Sequence, residues 1–371
     1  MNLRQTMMEV SLENYRHNFR AIRENAGGAK VIAVIKSNAY GMGAVPVAWT
    51  LKDEGADFFA VATPDEAITL REAGITDSIL VMGTSPYDAA ETYVSLGISA
   101  VITDMKMAKA LSRAAQKIGR PAKAHLKVDT GMGRVGFLRE EALDAARRLH
   151  SLPGIDFEGI MTHFARADEG DTAPTRQQFA IFESVAKEIR GAGIHVRMAH
   201  CCNSGAMLAN LSDMYMDAVR PGHILHGLIP APECGDAIPI KPCFEIKSAI
   251  GLVRELPAGT GISYGSTYKT SGPELVAIIP AGYGDGYDRG LSNKGCVLIQ
   301  GKRCPIRGRI CMDQFVVDIS HLEDPKVGDE VVLIGRQGGQ EITISEVAEK
   351  LSTATGAIPV SFTDRMPRVY V

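Results

Sequence analysis

The feature that most constrains this chain is an alternation. Short apolar runs at residues 31–35, 58–62, 78–82, 98–102, 122–128, 157–163, 195–200 and 216–225 are separated by segments with apolar residues at helical spacing. Continuous runs suit strands covered on both faces. Strands alternating with helices give parallel sheets joined by right-handed crossovers. Eight such units within roughly 230 residues suit a closed (β/α)8 barrel better than an open sheet. Gly and Pro then crowd residues 227–242, which read as a linker. Beyond them, strand-like runs at 244–250, 275–279, 296–299, 315–319 and 330–334 carry little helical pattern until 344–351. The expected architecture is α/β: a TIM-type barrel over residues 1–235, then a mostly β C-terminal domain over 236–371.

Composition excludes several classes. The net charge is -3 and no long basic block occurs, so nucleic-acid binding has no support. No apolar run reaches membrane-spanning length, and the first nine residues lack an apolar signal core. The seven cysteines are scattered and no Cys-x-x-Cys pair occurs. This argues for reduced thiols in a cytoplasm, and against a disulfide framework or a zinc site.

The first apolar run ends in a lysine, Val31-Ile-Ala-Val-Ile-Lys36, followed by Ser-Asn-Ala-Tyr40-Gly-Met-Gly43. Barrels and open α/β sheets place their sites at the C-terminal ends of strands. A lysine beside that much apolar surface is partly desolvated, which frees its amine as nucleophile or base. A surface lysine closing a strand is the plain alternative. Other strand ends carry polar groups too: Tyr40 after the first strand; Lys127, Asp129 and Arg134 after the fifth; His163 at the sixth; His200, Asn203 and Ser204 after the seventh; Arg220 and Gly222 at the eighth. A barrel gathers all of these on one rim. Asn203-Ser204-Gly205 and Arg220-Pro221-Gly222-His223 suit a phosphate cradle of backbone N–H groups and a hydroxyl. A reactive lysine opposite such a cradle suggests a phosphorylated aldehyde held as a Schiff base, and pyridoxal phosphate fits.

The stretch Ala33-Val-Ile-Lys36-Ser-Asn-Ala-Tyr40-Gly-Met-Gly43 resembles the pyridoxal-lysine motif of the alanine racemase family. Lys127-Val-Asp-Thr-Gly-Met-Gly-Arg134, His200-Cys-Cys-Asn-Ser204, Val219-Arg220-Pro-Gly222, Gly261-Ile-Ser-Tyr264-Gly265, Gly308-Arg-Ile-Cys-Met312-Asp313 and the closing Arg365-Met-Pro-Arg368 resemble it also. The resemblance implies a pyridoxal 5'-phosphate-dependent racemase of alanine working as a homodimer with shared active sites. It implies Lys36 as Schiff-base lysine and base on one face, and Tyr264, from a partner subunit, as acid/base on the other. Two carriers on opposite faces are what inversion requires. It gives the cofactor Tyr40, Arg134, His163, His200, Ser204, Arg220, Gly222 and His223. It gives the substrate Arg134, Met312 and Asp313. It also implies a carbamylated Lys127, with a plain Lys127–Asp129 pair as the alternative.

Three departures stand out: Gly356-Ala357 in place of the family's Tyr-Glu, histidines at 223 and 226, and Ser37-Asn38 after the lysine. A glycine at 356 removes a phenol and suggests a larger pocket, hence a racemase of a larger amino acid such as serine. Three other classes compete. A non-catalytic pyridoxal-binding protein would lack the second domain. A decarboxylase would pair the ring nitrogen with a carboxylate, where Arg220 stands here. A cofactor-free Schiff-base aldolase fits the cradle less well.

Overall fold

The computed structural model describes residues 4–371. Residues 1–3, part of the stretch read as lacking a signal core, lie outside the described residues. The chain forms two compact units, one of residues Tyr15–Lys241 and one of residues 4–14 with Pro242–Val371.

This division corrects the expected boundary at both ends. The strand β1 (Met7–Val10) belongs to the second unit, where it pairs antiparallel with Phe244–Ala249 and parallel with Arg368–Tyr370. Its alternate residues, Met8 and Val10, are fully buried, but only a partner more than 230 residues away reveals which sheet buries them. The Gly/Pro-rich stretch after 227 is not a free linker either. It includes a short 3-10 turn, Pro232–Cys234, in which Cys234 is buried and its thiol lies 3.5 Å from the Asp168 carbonyl.

The unit Tyr15–Lys241 is a parallel barrel. Its strands are β2 (Lys30–Val31), β3 (Ala33–Val34), β4 (Phe58–Val61), β5 (Ser78–Val81), β6 (Ser99–Ile102), β7 (Ala122–Lys127), β8 (Ile155–Met161), β9 (Met198–His200) and β10 (Ala218–Val219). They run in the order β2-β10-β9-β8-β7-β6-β5-β4-β3. The two ends of that order are consecutive pieces of one extended segment, divided at Ile32. β2 pairs with β10 and β3 with β4, so the eight expected strands close into a ring. Ile32, Val34, Phe58, Ala60, Leu80, Val101, Met161 and Ala218 pack together as one apolar cluster. Side chains from strands all round the ring can meet only in its interior, so this cluster fills the barrel. Each such side chain contributes roughly 1.5–3 kcal/mol by leaving water, which explains why the runs that supply them are so apolar.

Two strands are shorter than expected. The seventh begins at Met198 rather than at 195. The eighth ends at Val219, after which the chain breaks into a 3-10 turn, His223–His226. The second truncation frees backbone at the C-terminal rim, whereas the first shortens its strand at the opposite end.

In the second unit a ten-stranded, mostly antiparallel sheet holds all five runs expected there, together with Leu252–Leu256, Lys302–Arg307 and Gln340–Ile342. The amphipathic helix Ile344–Leu351 is capped by Thr343, whose hydroxyl accepts from the Glu346 amide at 3.1 Å.

Candidate active site

Lys36 stands two residues beyond β3 and opens a tight turn. Ser37, Asn38, Ala39 and Tyr40 all have φ of 53–54°. Four consecutive left-handed non-glycine residues cost roughly 1–2 kcal/mol each, so the turn must be held from outside. The Asn38 side-chain carbonyl accepts from the Ala44 amide at 2.7 Å. The Glu66 carboxylate accepts from the Ser37 amide at 2.5 Å and, through its other oxygen, from the Ala62 amide at 2.7 Å. Glu66 thus ties the turn to the end of β4 while capping its own helix, Pro64–Glu72. Burial, reinforced by the nearby Arg134 and opposed by Glu66, lowers the Lys36 amine pKa.

The turn delivers Tyr40 to the opposite wall. Its ring is buried, 5.3 Å from the His223 ring and 4.4 Å from the His226 ring. Burial pushes its phenol up to about 12, so the hydroxyl keeps its proton and can donate. Beside it the Ser204 hydroxyl accepts from the Gly222 amide at 2.9 Å and lies 3.5 Å from the Ile224 amide. Gly222 has φ -117°, which any residue adopts. Its lack of a side chain matters because an added Cβ would sit 2.9 Å from the Tyr40 hydroxyl oxygen.

Arg220 is buried, and its hydrogen bonds among the described residues all go to neutral groups. Nη1 donates to His200 Nδ1 at 2.9 Å. Nη2 donates to the Thr162 carbonyl at 2.7 Å and the Cys201 carbonyl at 3.0 Å, and lies 3.3 Å from His163 Nδ1. Burial pulls its pKa down to about 10, which still leaves it cationic at neutral pH. Burial and, after it, that cation hold His163 and His200 well below the ordinary imidazole range, which favours the neutral form of both.

Lys36, Tyr40, His163, Ser204, Arg220, Gly222 and His223 line one open cleft of about 250 Å³. Lys127, Asp129, Arg134 and His163 line a neighbouring crevice with no room for a water molecule. Burial and the charges of Arg220 and Arg134 drive the Lys127 amine far below its usual value. The Asp129 carboxylate points elsewhere: burial raises its pKa, but four backbone N–H donors, from Gly131 to Arg134, outweigh that. The plain Lys127–Asp129 ion pair does not form. His200 lies behind Arg220 rather than on the cleft wall.

The remaining candidates stand on the other unit. Tyr264 is 68% exposed, between Ser263 at φ 60° and Gly265 at φ 75°. The Ser263 hydroxyl donates to the Arg309 carbonyl at 2.6 Å and fixes this kink. Met312 is half exposed, and Asp313 pairs with Arg365 at 2.8 Å.

Sequence reasoning missed Glu66, His125 and Glu158. None follows a strand: Glu66 lies in a helix, and the other two sit in mid-strand, where polar residues carry no motif. Asp168, on the cleft wall, was missed as well.

The family model described as "Alanine racemase, N-terminal domain" matches residues 10–230, and that described as "Alanine racemase, C-terminal domain" matches residues 243–370. The chain belongs to the alanine racemase family. It is 42% identical to the alanine racemase of Carboxydothermus hydrogenoformans over all of both chains. A solved alanine racemase of Clostridium difficile 630 superposes with a TM-score of 0.96 at 36% identity, covering 100% of this chain and 97% of that one. The alanine racemase of Bacillus anthracis, solved with bound L-Ala-P, does so with a TM-score of 0.94 at 34% identity, covering 100% and 96%. Membership in the alanine racemase family accounts for the barrel followed by a β unit. It also accounts for the motifs at the barrel rim and at the Tyr264 turn.

Proposed function

We propose that this chain is a pyridoxal 5'-phosphate-dependent racemase that interconverts L- and D-alanine through two bases, as a homodimer with shared active sites in the cytoplasm. One observation carries the reading: a lysine with a depressed pKa and a polar cradle line a single cleft. The residues present fit the cofactor. The Gly222 and Ile224 amides, the Ser204 and Tyr40 hydroxyls and His223 are donors suited to a phosphate, and the missing side chain at 222 leaves it room. When bound, the cofactor supplies an aldehyde and an electron-withdrawing ring that acidifies the substrate's α-hydrogen.

The chain's own groups do the rest. The Lys36 amine is the nucleophile for the aldehyde. Its Nζ then takes or returns a proton on one face of the substrate carbon. The Tyr264 hydroxyl, from a second copy of the chain, serves the other face; its exposure in this protomer suits a group that works elsewhere. Arg220 has donors and no acceptor, so a ring nitrogen facing it keeps its lone pair and stays unprotonated. His163 and His200, both neutral, hold that guanidinium. Arg134 binds the substrate carboxylate, with Met312 and Asp313 lining the substrate side from the second copy. Lys127, its amine pKa driven down by burial and by Arg220 and Arg134, and without the Asp129 partner, is the lysine suited to carbamylation. The anion so formed would sit between Arg134 and Arg220. Seven free thiols suit a reducing compartment.

Exchange of the α-hydrogen for deuterium, followed from each enantiomer, tests the reading. Wild-type enzyme should exchange both. Tyr264→Phe should lose exchange from L-alanine by a factor of at least 10 more than from D-alanine, and Lys36→Ala should lose both. Equal loss from the two enantiomers in Tyr264→Phe contradicts the two-base assignment.

A further inference from the structure

Behind Arg220 a buried polar chain crosses the barrel interior. His200 accepts from Arg220 through Nδ1 at 2.9 Å, and its Nε2 lies 2.9 Å from His125 Nδ1. His125 Nε2 lies 3.0 Å from Glu158 Oε2, the same oxygen that accepts from the Ser99 hydroxyl at 2.5 Å. Both imidazoles are fully buried and Glu158 is nearly so. The chain begins at the C-terminal rim and ends near the opposite one. There Ser99 opens β6, and Arg197, just before β9, approaches the other Glu158 oxygen at 3.5 Å.

The fold makes room for this chain. Gly159 stands in register opposite His125, and a Cβ at 159 would lie 2.3 Å from His125 Nδ1. The missing side chain lets the imidazole lean across β8 toward His200. A register shift between Ala124 and His125 accompanies it.

The two ends of the chain require the same polarity. A guanidinium only donates, so His200 Nδ1 must be bare and its Nε2–H must donate to His125 Nδ1. An ionised carboxylate only accepts, so His125 must carry its proton on Nε2, which again leaves its Nδ1 bare. Every hydrogen bond therefore runs one way, from the cation to the anion. Arg220 has no carboxylate among its hydrogen-bond partners in the described residues, and a buried charge is costly unless compensated. The other N–H of Nη1 and that of Nε are without an acceptor among the described residues and remain available to the cleft.

We propose that His125 and Glu158 are positioning residues for Arg220: together with His200 they form a one-way hydrogen-bond chain that orients the guanidinium and supplies its counter-charge through two neutral imidazoles. The functional consequence rests on Arg220 facing the cofactor, as proposed above; the polarity of the chain does not.

Two measurements test it. In the native protein, 15N spectra of labelled histidines, assigned by difference against His125→Gln and His200→Asn, should show both rings neutral with hydrogen on Nε2 from pH 6 to 8. A proton on Nδ1 of either ring overturns the proposal without touching the racemase assignment. In the holoenzyme, Glu158→Gln keeps the shape and removes the charge. It should lower kcat on the order of ten- to a hundredfold, leave KM for the amino acid unchanged, and move the cofactor's visible band. An unchanged kcat overturns the proposal, as does a loss shared by kcat and KM alongside a lower melting temperature, which marks a merely structural residue. If the wild-type enzyme inverts no amino acid, the functional reading fails while the 15N result still stands.

Discussion

Gly222→Ala isolates how the cradle is built. The φ at 222 is -117°, outside the left-handed region, so the effect of the substitution is worked from where its Cβ falls. That atom would lie 2.9 Å from the Tyr40 hydroxyl oxygen, whereas its next neighbours, Tyr40 Cζ and Val34 Cβ, are at an ordinary 3.6 Å. A comfortable separation is about 3.5 Å, so the hydroxyl must move by about half an ångström. It has little freedom to do so, because the ring is packed against His223 and His226 and its backbone is held in the left-handed turn. Overpacking of this kind costs about 1–3 kcal/mol. A hydroxyl pushed out of line with a phosphate loses a charge-assisted hydrogen bond worth about 1.5–3 kcal/mol. The expected result is a roughly ten- to hundredfold weaker pyridoxal phosphate affinity, read by titrating apoenzyme with the cofactor and following absorbance. Tyr40→Phe removes the one atom in conflict. In that background Gly222→Ala should cost almost nothing further, giving a coupling of about 1–3 kcal/mol across the double-mutant cycle. Additive losses, or an unchanged affinity in Gly222→Ala alone, refute the reasoning.

The remaining expectations concern acid lability and specificity. His200 and His226 are fully buried and neutral in the fold, His226 with a pKa lowered to about 3. Both states are neutral above the unfolded value of about 6.5, so stability is intact there. As pH falls below it, the unfolded chain binds these protons first, and each histidine kept neutral in the fold should cost about 1.4 kcal/mol of stability per pH unit. Melting temperatures between pH 7 and 5 check this; a flat profile contradicts it. Glu158 behaves like an ordinary paired carboxylate: burial opposes its ionisation, but His125, Ser99 and Lys123 outweigh this and hold it at about 2. Its contribution should therefore persist down to about pH 4.5 and fade only below that, a loss that Glu158→Gln should abolish. Gly356 precedes the short helix Ala357–Ser361 and carries no phenol. Steady-state rates on a panel of L-amino acids should show turnover of serine beside alanine, and turnover of alanine alone would end the larger-pocket idea.

The alternation of apolar runs, read locally, was enough to determine the barrel, because a strand buried on both faces must be apolar along its whole length. The Lys36–Tyr40 turn, the Arg220–Gly222 break and the kink at Tyr264 were legible for a similar reason: each packs its chemistry into a few consecutive residues. Tertiary structure alone decided the rest. The alternating pattern of Met7–Val10 marks a strand but not its sheet, since the pairing partners lie far away in sequence. His125 and Glu158 look like polar intrusions in barrel strands until the ring closes. Closure sets each donor opposite an acceptor and turns two costly buried groups into support for a third. Hydrogen bonds across a closed barrel depend on register and on one missing side chain at 159, and neither is written in any local stretch of the chain.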